Sequence, residues 1–215
     1  MNKHGIIKRN FYKGEPLEKG GTSISAGPAP AIKQLSKRGA FHGEILDYGS
    51  GKYARNANFL REQGFKVYAY DPYNGNKEDG WTDNSIQPPK GNFDVVFSAF
   101  VLNVVPEKTE NTILSETEQF SKGDVYHITR NLDIFDTVKK ALERGDKIIT
   151  DFFLKEFASP EQKEALEENN LDDDTILDFC YFGTQTSRGF QRIPQLEDKG
   201  YNLTINRRGF KVYKK

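Results

Sequence analysis

The residues in this sequence best placed to do chemistry are two aspartates and the glycines between them. Asp47 is followed by Tyr48-Gly49-Ser50-Gly51, and Asp71, with Pro72 directly after it, stands twenty positions beyond Gly51. A carboxylate at that distance from a glycine turn, at the tip of the neighbouring strand, can accept hydrogen bonds from both hydroxyls of a ribose. A pyrophosphate would want a third glycine where Tyr53 stands and no anion nearby, yet Asp47 ends the first strand. Such a carboxylate repels phosphate but can position an ammonium, while N–H groups at a helix start receive a carboxylate. A ligand with a ribose at one end and an amino acid at the other satisfies both, and S-adenosylmethionine is that molecule. A phosphate loop is excluded because Leu46 lies where its first glycine belongs and Tyr53 follows Lys52. A turn whose glycines serve geometry alone is the alternative.

These residues need a strand, a turn, a helix and a second strand to hold them. Ile45 and Leu46 make the apolar run of a buried strand. Gly49 and Gly51 make the turn, Tyr53 to Gln63 a helix ended by Gly64, and Val67 to Tyr70 the second strand. After a polar loop, Phe93 to Phe100 forms the strongest strand, apolar on both faces apart from Asp94 and Ser98, as in a parallel sheet. Ala99 and Phe100, at its tip, flank the expected sulfonium end. Asn103 has the amide needed to orient a nucleophile, with capping of the next helix as its other reading.

The wording Leu46-Asp47-Tyr48-Gly49-Ser50-Gly51, Tyr70-Asp71-Pro72-Tyr73 and Phe93 to Val104 resembles the class I S-adenosylmethionine-dependent methyltransferases. It resembles in particular phage and bacterial methyltransferase-domain proteins, including those associated with DNA phosphorothioation, over roughly residues 20 to 130. The resemblance implies a Rossmann-like three-layer α/β sandwich, a mostly parallel sheet with a C-terminal antiparallel hairpin. It implies cofactor contacts at Asp47, Tyr48, Gly49, Gly51, Asp71, Pro72, Ala99 and Phe100, and Asp83 beside the adenine amine. It also points to Arg130, paired with Asp133, and to Ser23 in a Ser/Thr-rich leading loop, as acceptor contacts; a surface ion pair and simple helix capping are the competing readings.

Conventional base methylation is disfavoured, since Asn103-Val104-Val105-Pro106 replaces the Asp/Asn-Pro-Pro-aromatic word of amino-methylating DNA enzymes and Cys180 lies in the wrong neighbourhood for cytosine C5. The acceptor expected is a nucleic-acid component or a small polar molecule. A cofactor-binding protein without transfer, such as a sink, cleaving enzyme or regulatory subunit, is the alternative.

The 215 residues carry 31 basic and 31 acidic side chains, so no net charge draws the whole molecule to nucleic acid or membrane. No long apolar run or signal-peptide pattern is present, which leads to the expectation of a cytoplasmic protein of a bacterium or phage-infected host. One cysteine excludes an internal disulfide and a cysteine metal site, and no metal is expected. Residues 1 to 30 read as an arm or lid and 31 to 215 as the methyltransferase domain, divergent from 134 onward.

Along the rest of the chain, Ala31 to Arg38 and Glu107 to Phe120 read as helices, Lys122-Gly123 as a turn, and Asp124 to Arg130 as a half-polar strand. Helices over 135–143 and from Ser159, with a strand over 147–153 between them, are also expected. Eight acidic residues against one lysine between Ser159 and Asp178 suggest a solvated face. Phe182 to Arg192 reads as a polar, aromatic loop whose Arg188, Gln191 and Arg192 could contact an anionic or ring-bearing acceptor. Asn202 to Ile205 and Phe210 to Tyr213 read as the closing hairpin.

Overall fold

The computed structural model describes residues 27–74, 89–105, 107–131, 140, 143–145, 183–186, 189–207 and 209–215, with only the backbone of 183–186 and 189–191. Residues 1–26 of the expected arm, the loop carrying Asp83, most of the helix expected over 135–143, the strand over 147–153, the helix from Ser159, Cys180 and Arg188 lie outside the described residues.

The described chain follows the α/β pattern its sequence implies. The helix α1 (Pro30–Lys37) leads into β1 (Glu44–Tyr48), α2 (Arg55–Glu62) and β2 (Lys66–Tyr70). Then come β3 (Phe93–Ala99), α3 (Glu107–Phe120) and β4 (Ser121–Thr129). Two hairpins follow, β5 (Gly183–Thr186) with β6 (Gly189–Arg192), and β7 (Asn202–Arg207) with β8 (Phe210–Lys214).

Six strands form one sheet in the order β2-β1-β3-β4-β8-β7. The first four run parallel, and β8 and β7 add antiparallel pairings at the end. Side chains alternate across it, so Ile45, Val95 and Ile128 pack with α1 and α2, while Leu46, Tyr48 and Val125 pack with Ile113 and Leu114 of α3. Helices on both faces make three layers, and the parallel strands, covered on both sides, are accordingly apolar.

Three boundaries differ from the sequence reading for local reasons. α2 starts at Arg55 because Ala54 takes a left-handed conformation with φ 43°. No turn separates α3 from β4: Lys122 and Gly123 belong to the strand, where a bulge sets three residue steps of β4 against two of β3, from Phe93↔Ser121 to Val95↔Asp124. Gly123 is required there, since a Cβ would come 2.4 Å from the Asp94 carbonyl oxygen. Finally, the stretch read as a loop near residue 190 pairs as the β5–β6 hairpin.

Candidate active site

The ends of β1, β2 and β3 open onto a cavity of about 680 Å³, within the ~300–1,000 Å³ usual for small-molecule sites. In a parallel sheet, ligands gather at this carboxyl edge, where flanking connections leave in opposite directions. Gly49, Ser50, Gly51 and Tyr53 form its floor; Asp71, Pro72 and Tyr73 bound it at β2, and Ala99, Phe100 and Val101 at β3. Gly27, Ala29 and Pro30 at the start of α1 close one side, and Arg130 and Gly209 another.

Asp71 shapes the loop. Its Oδ2 accepts the Gly51 N–H at 2.9 Å, and its Oδ1 accepts the N–H groups of Tyr73 and Asn74 at 2.9 and 2.8 Å. The glycine turn is further tied to β2 by the Gly49 and Ser50 amides, which donate to the Tyr70 carbonyl at 2.8 and 3.1 Å. Gly49 has φ 77°, and a Cβ on it would meet Val101 Cγ2 at 2.4 Å, so the loop lies directly against the residue after β3's tip.

Asp47 stands at the end of β1 beneath this loop, fully buried, with neither carboxylate oxygen in a hydrogen bond. Burial pushes its pKa up to about 8. The Ala57 N–H in the first turn of α2 offsets part of this without reaching hydrogen-bonding geometry, and the Asp71 charge adds to the rise. Arg61 helps least, its guanidinium being held by the Val67 carbonyl at 2.8 and 3.1 Å. α2 itself begins without a side-chain cap.

On the other face of β1, Tyr48 donates to Glu116 of α3, and its ring meets Tyr70 edge-on at 5.3 Å. Burial first, then Glu116, pushes both phenol pKa values up. With Thr109, Thr112 and Ile113, Glu116 lines the cavity wall. The sequence reading passed over these α3 residues, although their spacing of three, four and seven positions marks one helix face.

The structure thus brings Tyr48, Gly49, Gly51, Asp71, Pro72, Ala99, Phe100 and Arg130 to one cavity, with Asp47 just below it. Phe100 holds an uncommon left-handed φ of 60°, its N–H donating to the Ile128 carbonyl at 2.8 Å. Asn103 and Arg192 stand elsewhere. Asn103 is fully buried in a short 3₁₀ turn, its amide donating to the Arg192 carbonyl at 2.7 Å and accepting the Arg130 N–H at 3.2 Å. Arg192 is 4% exposed, with Nη1 2.8 Å from Glu110 Oε2 in an ionic contact outside hydrogen-bond alignment. The same Nη1 donates to the Val105 carbonyl at 3.1 Å. Gln191 belongs to β6, described by its backbone alone, and Ser23, Asp83 and Arg188 lie outside the described residues.

His127 and Ser98, the other buried polar pair near β3, meet at 2.7 Å inside the sheet's α3 face. Burial holds the imidazole at about 3, hence neutral, so the pair is packing. Among the described residues no cluster of His, Cys, Asp or Glu could hold a metal ion, and no helix is long and apolar enough to cross a membrane.

A methyltransferase-domain family model matches residues 24–173. No curated protein matches the chain. A solved S-adenosylmethionine-dependent methyltransferase from Bacteroides fragilis, in complex with S-adenosyl-L-homocysteine, is 14% identical; the match covers 86% of this chain and 76% of that one, with a TM-score of 0.46. Magnesium protoporphyrin IX methyltransferase from Synechocystis PCC 6803 with bound S-adenosylmethionine is 13% identical over 86% and 74% of the two chains, with a TM-score of 0.40. A protein described for conversion of a disulfide bond into a thioacetal group during echinomycin biosynthesis is 17% identical over 63% of this chain, with a TM-score of 0.42. The match spans 66% of that protein's length.

Proposed function

This chain belongs to the methyltransferase-domain family, and we propose that it binds S-adenosylmethionine across the tips of β2, β1 and β3 and transfers its methyl group to a nucleic-acid component or another small polar acceptor. The observation that supports this reading is the tie between Asp71 and Gly51, which holds a strand-tip carboxylate against the glycine loop of the adjacent strand. Gly49 lets the loop lie directly against Val101, which any side chain at that position would push away.

S-adenosylmethionine supplies a methyl group already activated on a positive sulfur. The protein's part is then placement and exclusion of water. A carboxylate oxygen offers two lone pairs, so Asp71 Oδ2 keeps one for a ribose hydroxyl after accepting the Gly51 N–H. The uncapped first turn of α2 receives the ligand's carboxylate. Ala99 and Phe100 wall the sulfur. Asp47 lies buried beneath the loop, where a bound ammonium would favour its ionised form. Asn103 acts on the acceptor side indirectly, by holding Arg130.

Isothermal titration of the full chain with S-adenosylmethionine tests binding; absence of heat would overturn the reading. Incubation with methyl-labelled donor and bacterial DNA, RNA or nucleotide pools tests transfer. Label on an acceptor is expected, whereas binding with no label would reduce the protein to a cofactor holder.

A further inference from the structure

The backbone that carries Arg130 is pinned more firmly than a solubilising arginine needs. Arg130 follows the last residue of β4, and side chains from three elements fix the backbone around it. Its N–H donates to Oδ1 of buried Asn103 at 3.2 Å, and its carbonyl accepts the Thr129 hydroxyl at 3.2 Å. The next residue, Asn131, donates to Asn206 Oδ1 at 2.8 Å and to the Arg207 carbonyl at 2.5 Å in the β7–β8 hairpin. Asn103 is in turn fixed by the Arg192 carbonyl, and Arg192 is anchored on Glu110. A buried amide and a buried ion pair therefore stand behind one half-buried cation in the cavity wall.

The strand order says what lies near that cation. Asp71 follows β2, Phe100 follows β3 and Arg130 follows β4, in a sheet ordered β2-β1-β3-β4. At ~4.8 Å per strand, Asp71 and Arg130 are three spacings apart, on the order of 14 Å, and Phe100 and Arg130 one, about 5 Å. With the ribose at Asp71 and the sulfur at Phe100, the donor fills the first two intervals. Arg130 stands on the far side of the transferred methyl group, where the acceptor must sit.

A guanidinium is a planar fork matching carboxylate and phosphate oxygens two at a time, and a backbone pinned at its root leaves only the side chain itself to be ordered on binding. We infer that Arg130 is the anchor for an anionic acceptor: a small molecule whose carboxylate or phosphate lies a few bonds from the atom that receives the methyl group, with Asn103 and Asn131 as its positioning residues. This rests on the methyl-donor reading above for the location of the methyl group, not for the anion site itself.

The test uses the full chain saturated with S-adenosylhomocysteine and titrated with inorganic phosphate or with acetate, chloride holding ionic strength constant. Saturable binding of at least one anion is expected, and which one tells phosphate from carboxylate acceptors. Arg130→Gln should weaken that binding at least tenfold while leaving the affinity for S-adenosylhomocysteine within twofold. Arg130→Lys, which keeps the charge and loses the fork, should retain only part of it. Asn131→Ala, at an accessible site that spares the buried network, should weaken anion binding a few-fold.

Saturation by neither anion overturns the inference. So does a tenfold loss of S-adenosylhomocysteine affinity in Arg130→Gln with phosphate competing against that ligand, because Arg130 would then hold the donor's own carboxylate. Failure of the wild type to bind S-adenosylhomocysteine sinks the methyl-donor reading instead. The anion titration is then decided on the free protein, by whether Arg130→Gln abolishes it.

Discussion

Asp47 and Asp71 sit one strand apart and meet opposite fates. Asp71 is surrounded by backbone N–H groups, whereas Asp47 is buried with no hydrogen bond at all. With a pKa of about 8 against an ordinary 3.8, Asp47 keeps a proton in the folded protein that the unfolded chain has released. Below both values it contributes nothing; as pH rises from about 4 to 8, stability falls by up to ~1.4 kcal/mol per pH unit. His127 acts in the opposite sense: its pKa is lowered to about 3 from 6.5, so stability is lost as pH falls from 6.5 towards 3. Between pH 4 and 6.5 the two slopes oppose, and above 6.5 Asp47 acts alone. Thermal unfolding of ligand-free Asp47→Asn and wild type between pH 5 and 8 should give curves that diverge with pH, the variant being the more stable. Parallel curves would show that Asp47 is ionised in the folded state. Asp47 was legible in the sequence as a strand-tip carboxylate; its isolation was not, because that depends on where Arg61 sends its guanidinium. Asn103 and Arg192 were misplaced for a similar reason, since residue type alone does not tell an amide facing a cavity from one holding backbone.

Among the elements, the β1–α2–β2 unit and α3 could be read from glycine placement and hydrophobic spacing, because local sequence decides both. β4 could not be read to its start. Lys122-Gly123 carries the composition of a turn, but the glycine is there so that β3 can approach. The two close approaches should respond differently to mutation. In Gly49→Ala the Cβ meets the branched side chain of Val101 in a left-handed backbone, and a loss of ~1–3 kcal/mol is expected by chemical denaturation. Val101→Ala in the same chain should recover part of it, leaving the backbone strain. In Gly123→Ala the new methyl meets the Asp94 carbonyl, which cannot turn aside, so no neighbouring truncation should rescue it. Equal rescue of both would show that the bulge at Gly123 adjusts freely.

At the scale of the whole molecule, zero net charge conceals a buried charge cluster far apart in sequence. Glu110 of α3 contacts Arg192 and Lys199, and Lys199 also reaches Asn111 at 2.7 Å, fastening the segment after β6 to the helix that walls the cavity. Glu110→Ala would leave Arg192 charged and enclosed, at a cost of about 3–5 kcal/mol in equilibrium unfolding. Replacing Glu110 and Arg192 together by methionine should restore most of that loss; a double variant no better than the single would mean packing, not charge, is what Glu110 supplies. No local pattern in the sequence announces this pairing, because its members are separated by more than eighty positions. The position of β8 also has a practical bearing. β8 runs antiparallel to β4, and Lys215 exchanges backbone hydrogen bonds with Val125 near the beginning of β4. Anything joined after Lys215, a reporter or a tether to a surface, therefore departs from the rim of the sheet opposite the strand ends that open onto the cavity.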